Sequence, residues 1–219
     1  QSPSNHRYDT ANYARIDPML GTEENFASLV GALHENGMRV MLDGVYNHAS
    51  WQHPFWQDVL KNGEKSAYFD WFCGVSMEVL RGKTSKELTA DVMRREKPFE
   101  SFAFAADMPK WNTENSAVQD YLIGTAAEWT RKYGVDAWRL DVPDEVSFRF
   151  LEHFKKRIRE TNPEAYIIGE IWQKSTAWLR AGVFDGAMDY PLYFAIRDFA
   201  MKRTDGVDTF AERIKDVFL

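Results

Sequence analysis

Arg139 and Asp141 stand two residues apart at the end of Gly134-Val-Asp-Ala-Trp-Arg-Leu-Asp141, an otherwise largely apolar run. In a strand, residues i and i+2 point to the same side, so guanidinium and carboxyl share one face. Charged groups are rarely buried unless paired or used. A neighbouring cation favours the ionised carboxylate and lowers its pKa, which suits a nucleophile. It suits a structural ion pair equally well, and this stretch alone does not separate the two. Two further apolar runs end in the same manner: Arg39-Val-Met-Leu-Asp43, which leads into Gly44-Val-Tyr-Asn47-His48, and Ala165-Tyr-Ile-Ile-Gly-Glu170. An Asp and a Glu on neighbouring strands can stand about 5 Å apart, the separation a retaining glycosidase uses. Asp141, kept ionised by Arg139, would attack the anomeric carbon. Glu170, in an apolar setting beside Ile171 and Trp172, is expected to have a raised pKa and to donate the proton.

Periodicity supplies the elements that must position these groups. From Thr22 the spacing predicts a helix. Thr22 can cap it, Glu23 and Glu24 suit its dipole, Phe26, Leu29, Val30 and Leu33 recur at helical spacing, and Gly37 ends it. The strand Arg39–Asp43 follows. A second helix is expected from about Ser116, with a Ser116-x-x-Gln119 capping box, a stripe of Val118, Tyr121, Leu122, Thr125, Ala126 and Trp129, and Gly134 as its stop. After the Arg139–Asp141 strand come a helix over about 144–160, the strand Ala165–Glu170, a short helix at Trp178-Leu179, a strand over Val183–Met188 and mostly helix over 191–219. Such alternation implies a parallel sheet with right-handed crossovers. A doubly wound sheet and a (β/α)8 barrel both fit. No phosphate-loop glycine pattern follows a strand, which weighs against a nucleotide-binding fold. In a barrel, three successive loaded strand ends would meet on the catalytic face.

Residues 49–113 carry no clean period and are rich in aromatics, among them Trp51, Phe55, Trp56, Tyr68, Phe69, Trp71 and Phe72. A connection this long is more often a lid or small subdomain than a loop. The aromatic fraction of the whole chain is 15%, which suits both a core and the flat faces of sugars. A net charge of −6 with no basic cluster argues against nucleic acid and anionic membranes as partners. No apolar run approaches the roughly 18 residues of a membrane span. One cysteine, Cys73, excludes an internal disulfide and any Cys-based metal site.

Taken together, Asp43-Gly-Val-Tyr-Asn47-His48, Gly134-Val-Asp-Ala-Trp-Arg139-Leu-Asp141 and Gly169-Glu170-Ile171-Trp172 resemble three regions of the alpha-amylase family, glycoside hydrolase family 13, in the family's order. Met108-Pro109-Lys110-Trp111-Asn112 is similar to the extra region of the neopullulanase, cyclomaltodextrinase and maltogenic amylase branch. The stretches after Asp141 and around Phe184-Asp185-Gly-Ala-Met-Asp189-Tyr-Pro also resemble that branch, which usually has Asn where this chain has Asp144 and Asp189. The resemblance implies α/β architecture, a partial (β/α)8 barrel of about strands 3 to 6. Residues 1–48 and 114–219 would be barrel, and 49–113 a domain-B-like insertion. It implies Asp141 as nucleophile, Glu170 as general acid/base and Arg139 as the group that orients and ionises Asp141. Tyr8 would stack on the sugar that His48 binds, Asp43 would support the site, and Glu145 and Trp172 would line the acceptor side.

The expected substrate is an alpha-glucan oligosaccharide. A retaining hydrolase of α-1,4 bonds is implied, with α-1,6 bonds as an option, acting on maltooligosaccharides, cyclodextrins, pullulan or starch. A transglycosylase or alpha-glucosidase of the same family, and a non-catalytic carbohydrate-binding fragment, are the alternatives. No cofactor or metal is expected, although in some amylases the Asn at position 47 binds calcium. The family's Asn-His-Asp region does not occur in these 219 residues. The chain is therefore expected to be the middle of a barrel, nearly inactive alone and a homo-oligomer through its open sheet edges. A cytoplasmic location is expected, with an extracellular one as the alternative.

Overall fold

The computed structural model describes residues 1–218. Four parallel strands form one sheet in the order β1 (Met41–Gly44), β2 (Ala137–Leu140), β3 (Tyr166–Gly169) and β4 (Gly186–Ala187). Each strand pairs with the next in sequence, with no reversal of order. A doubly wound sheet reverses its order partway, whereas a barrel winds in one direction. The described sheet is therefore a barrel sector, and the alternative left open by periodicity falls away.

Helix α1 (Glu23–Glu35) begins at the expected cap, where Thr22 and Asn25 exchange hydrogen bonds in a capping box. Its apolar stripe is only partly covered. Val30 is buried, but Leu29 is 55% exposed and lines a 570 Å³ cleft with Phe26, Leu42, Trp129 and Trp138, beside the unpaired edge of β1. Helix α5 (Ser116–Tyr133) is capped by Asn115, not Ser116: its Oδ1 accepts from the Ala117 N–H at 2.9 Å. Gln119 instead turns inward to the Thr113 carbonyl and His153, so the expected capping box does not form. Helix α6 (Phe148–Thr161) starts four residues later than expected because Ser147 caps it; Pro143–Glu145 form a separate 3-10 turn. It buries Phe150, Leu151, Phe154 and Ile158 against the sheet and α5, each worth about 1.5–3 kcal/mol of apolar burial.

The strand expected over Val183–Met188 shrinks to Gly186–Ala187, since Val183 and Phe184 are instead core residues of the approach. Short α7 (Thr176–Arg180) is as expected. The closing segment holds α8 (Tyr190–Ile196), a π turn over Arg197–Met201 and α9 (Val207–Phe218); Leu219 lies outside the described residues.

Between β1 and α5 lie three short helices, α2 (Pro54–Asn62), α3 (Met77–Leu80) and α4 (Ala90–Glu96), with 3-10 turns. Three antiparallel bridges, His48↔Lys110, Phe72↔Trp111 and Ser101↔Pro109, fasten this segment to itself and to the end of β1. Its aromatics stack on Trp111, whose indole N–H donates to the Tyr13 hydroxyl at 3.1 Å. Trp56, Phe72 and Phe99 are buried in the same continuous core as Trp138 and Phe154 under the sheet.

Candidate active site

Register brings the site together. Asp43 of β1 lies directly opposite Arg139 of β2, and Leu140 lies opposite Gly169 of β3. Asp141 and Glu170 each follow one residue later, and their N–H groups still continue the ladder, to the Gly44 and Leu140 carbonyls, both at 3.0 Å. Adjacent parallel strands run about 4.8 Å apart, so equivalent positions place the two carboxyls side by side. Gly169 is required just before Glu170, because a Cβ there would stand 2.5 Å from the Phe184 ring.

Arg139 holds the three acids. Its Nη1 donates to Asp43 at 2.7 and 2.9 Å and to Asp141 at 2.8 Å, while Nη2 pairs with Glu170 Oε2 at 2.5 Å. Glu170 Oε1 accepts from the Tyr190 hydroxyl at 2.8 Å and from the Trp172 indole at 3.2 Å. Three carboxyls thus share one guanidinium.

The electrostatics differ from the expectation at both carboxyls. Burial pushes Asp141 up to about 6; Arg139 opposes this, and Asp43 and Glu170 add to it. Burial also raises Glu170, but hydrogen bonds from Tyr190 and Trp172, with the Arg139 charge, outweigh it and leave its pKa below the ordinary value. In sequence only Arg139 is visible beside Asp141 and only apolar neighbours beside Glu170; the crowding of acids around one cation and the donors on Glu170 arise from the fold.

A 570 Å³ cavity opens over these groups, lined by His6, Tyr8, His48, Phe102, Met108 and Trp172 together with Arg139, Asp141, Asp144 and Glu170. Tyr8 sits at its mouth, 38% exposed, and Trp172 is 63% exposed on the other side with its ring stacked on Tyr190. His48 is buried, stacked on Phe102, with Nε2 against the Tyr8 carbonyl at 2.9 Å; burial lowers its pKa and keeps the ring neutral. Asp43 reaches the site through Arg139 rather than through the cavity wall. Glu145 is not brought to the cavity: it pairs with Lys110 at 3.2 Å, behind Asn47. Tyr190 and Phe102 are not among the site residues expected from sequence, and Met108 enters there only as part of the branch-like Met108–Asn112 stretch. Tyr190 belongs to the Asp189-Tyr-Pro stretch, and a Tyr soon after a loaded strand end was the available signal.

Calcium does not fit this donor set. The Asn47 side-chain oxygen is buried without a partner, but the carboxylate its amide nitrogen reaches, Glu145 at 3.5 Å, is already bound to the Lys110 ammonium. Among the described residues no three His, Cys, Asp or Glu side chains converge as a metal site.

Acids and an arginine gather where successive parallel strands end, the face on which (β/α) barrels carry their functional residues. The chain belongs to the alpha-amylase family: the model of the alpha amylase catalytic domain matches residues 1–217. It is 41% identical over 213 residues to the intracellular maltogenic amylase of Bacillus subtilis, covering 97% of this chain and 34% of that protein. It is 41% identical over 190 residues to neopullulanase 2 of Thermoactinomyces vulgaris, covering 86% and 30%. A solved cyclomaltodextrinase structure superposes with a TM-score of 0.87 at 40% identity, over 97% of this chain and 35% of that one. The chain thus spans about a third of the length of these relatives. Among the described residues no helix is long and apolar enough to cross a membrane.

Proposed function

We propose that this chain carries the nucleophile and acid/base of a retaining glycosidase that cleaves α-1,4-glucosidic bonds of maltooligosaccharides and cyclodextrins, with α-1,6 bonds of pullulan as a further substrate. The observation that carries this reading is the single guanidinium bridging Asp141 and Glu170. Two carboxyls at paired positions of adjacent strands, bridged by one guanidinium, suit the roughly 5–5.5 Å separation of a retaining pair better than the roughly 6.5–9.5 Å of an inverting one. Asp141 attacks the anomeric carbon as the bond to the leaving oxygen breaks, and Glu170 gives that oxygen its proton. Water then attacks the glycosyl-Asp141 ester as Glu170 takes the water's proton. Sugar entering the cavity strips water from Glu170, which raises its pKa and favours the protonated acid. The names of the relatives support this substrate class, and that of the Bacillus subtilis protein supports a cytoplasmic location.

The test is stereochemical. Proton NMR of early turnover by the full-length protein should show the α-anomer first, and a β-anomer would overturn the retaining assignment. A second reading, transglycosylation, is favoured by the exposed Trp172 ring, a flat platform for an acceptor sugar beside Glu170. Residues 49–113 are proposed as the counterpart of domain B. Residues 1–219 alone, without an Asn-His-Asp region, should lose at least roughly 10³-fold in rate, since a missing transition-state partner is worth a few kcal/mol. Through the free edges of β1 and β4 and the apolar cleft beside β1, they should self-associate; a strict monomer at micromolar concentration by light scattering would refute this.

A further inference from the structure

We propose that Tyr190 is a positioning residue for the acid/base step: its hydroxyl, braced by stacking on Trp172, fixes Glu170 and sets the pH at which Glu170 gives up its proton. The inference rests on the assignment of Glu170 as acid/base.

The two oxygens of Glu170 are held differently. Oε2 is ion-paired with Arg139, which is committed also to Asp43 and Asp141. Oε1 accepts from Tyr190 at 2.8 Å and Trp172 at 3.2 Å. These two rings stack at 5.0 Å with 18° between their planes, so each donor holds the other in place. Tyr190 opens α8, and Asp189 caps that helix by accepting from the Leu192 N–H at 3.1 Å. The phenol is thus fixed to a rigid element rather than a loop. A hydroxyl that donates to a carboxylate stabilises its ionised form. Deprotonated Glu170 is the form that must accept a proton from water in the second half-reaction, so Tyr190 supports that stage and limits the pH range of the first.

Other charged and titratable groups facing Glu170 are Arg139 of β2 and Asp141 just after it, Asp144 on the following turn, Asp43 across Arg139, and His6, Tyr8 and His48 on the cavity wall. Among the described residues, Tyr190 and Trp172 are the side chains that donate to Oε1.

The experiment is the pH profile of kcat, which reports the substrate complex in which Glu170 holds the proton, on a maltooligosaccharide for the full-length protein and its Tyr190→Phe variant, which keeps the ring and removes the hydroxyl. Losing the donor raises the Glu170 pKa. The alkaline limb should therefore move up by about one pH unit, with the acidic limb unmoved. An alkaline limb that superimposes on the wild type, or two limbs that move together, would overturn the proposal. If Tyr190→Phe does not fold, Trp172→Phe removes the weaker donor, and a smaller shift in the same direction is expected; no shift there overturns it too. Glu170→Gln separates the two levels. Turnover surviving in that variant sinks the acid/base assignment itself, whereas loss of turnover with an unmoved Tyr190→Phe limb sinks only the role of Tyr190.

Discussion

The two ends of the sheet solve opposite electrostatic problems. At the end where strands begin, Asp136 exchanges hydrogen bonds with Val40, its carboxyl accepting from the Val40 N–H at 2.7 Å and its own N–H donating back at 3.0 Å. Asp185 does the same with Ile167, at 2.9 and 2.8 Å. Each is also flanked by two bases, His34 and Arg39 for Asp136, Lys155 and Arg159 for Asp185. At the end where strands finish, three acids share Arg139. Burial acts upward on the carboxyl in every case. It is outweighed at Asp136 and Asp185, whose pKa values end low, and it prevails at Asp141. The strand starts hold their charges at rest; the strand ends keep one carboxyl short of partners, which is the state a reaction can use.

The largest expected effect tests that division directly. Asp141→Asn and Glu170→Gln in the full-length protein should each lower kcat by roughly 10⁴-fold or more, because each removes a member of a unit that works together. The same Asp141→Asn change should stabilise the fold by on the order of 1 kcal/mol, as relief of a strained functional site commonly does. A melting curve showing the variant markedly less stable would mean that Asp141 is held as a structural ion pair after all. At the other end the expectation reverses. Asp185→Ala leaves the Ile167 N–H and two cations unpartnered and should destabilise by about 2 kcal/mol in urea titration, and Asp136→Ala by a similar or smaller amount, with KM and kcat unmoved in both. A catalytic defect in either would break the comparison.

Much of the strand-end region was legible because period-2 alternation and charge at apolar strand ends are local signals. Arg139 and Asp141 could be placed on one face from spacing alone, and Glu170 beside them only by reading the strands as neighbours in a barrel. The strand-start clusters were not: His34 and Asp136 are 102 residues apart in sequence. Asp185 was read as part of a strand, whereas it receives the β3 N–H before β4 begins. The cap of α5 went to Asn115 since either side chain suits an N-cap, and only the inward turn of Gln119 decides between them. Acid strengths were the least legible quantity of all. They depend on counting partners around Arg139 and donors on Glu170, and those counts exist only after folding.

A pH series sharpens the contrast further. Asp136 and Asp185 have folded pKa values below the ordinary one, so their stabilisation is present above about pH 4 and is lost as pH falls through the folded values. Asp141 has the opposite sign. Between its ordinary 3.8 and about 6 the unfolded chain gives up a proton that the folded one keeps, so stability falls as pH rises across that window and stays lowered above it. Melting temperatures of wild type and Asp141→Asn should coincide near pH 4, diverge up to about 6 and run parallel beyond. Curves that stay parallel throughout would place the Asp141 pKa in the ordinary range.

The smallest expected effect concerns Lys110, which stands between the two regimes. Its ammonium pairs with Glu145 at 3.2 Å beside the unpartnered Asn47 oxygen, where a bound cation would otherwise be the natural neutraliser. The pair is one acid to one base, as balanced as the strand starts, yet it lies behind the strand ends, and Glu145 is 42% exposed. A pair so open to water is worth about 0.5–1 kcal/mol, screened by salt. Lys110→Met should therefore lower the melting temperature slightly, and less so in high salt. Millimolar calcium or a chelator should leave the wild-type melting temperature where it is. A clear rise with calcium in the wild type would show that the ion displaces the lysine, and that charge balance behind the site is set by a metal rather than by the chain.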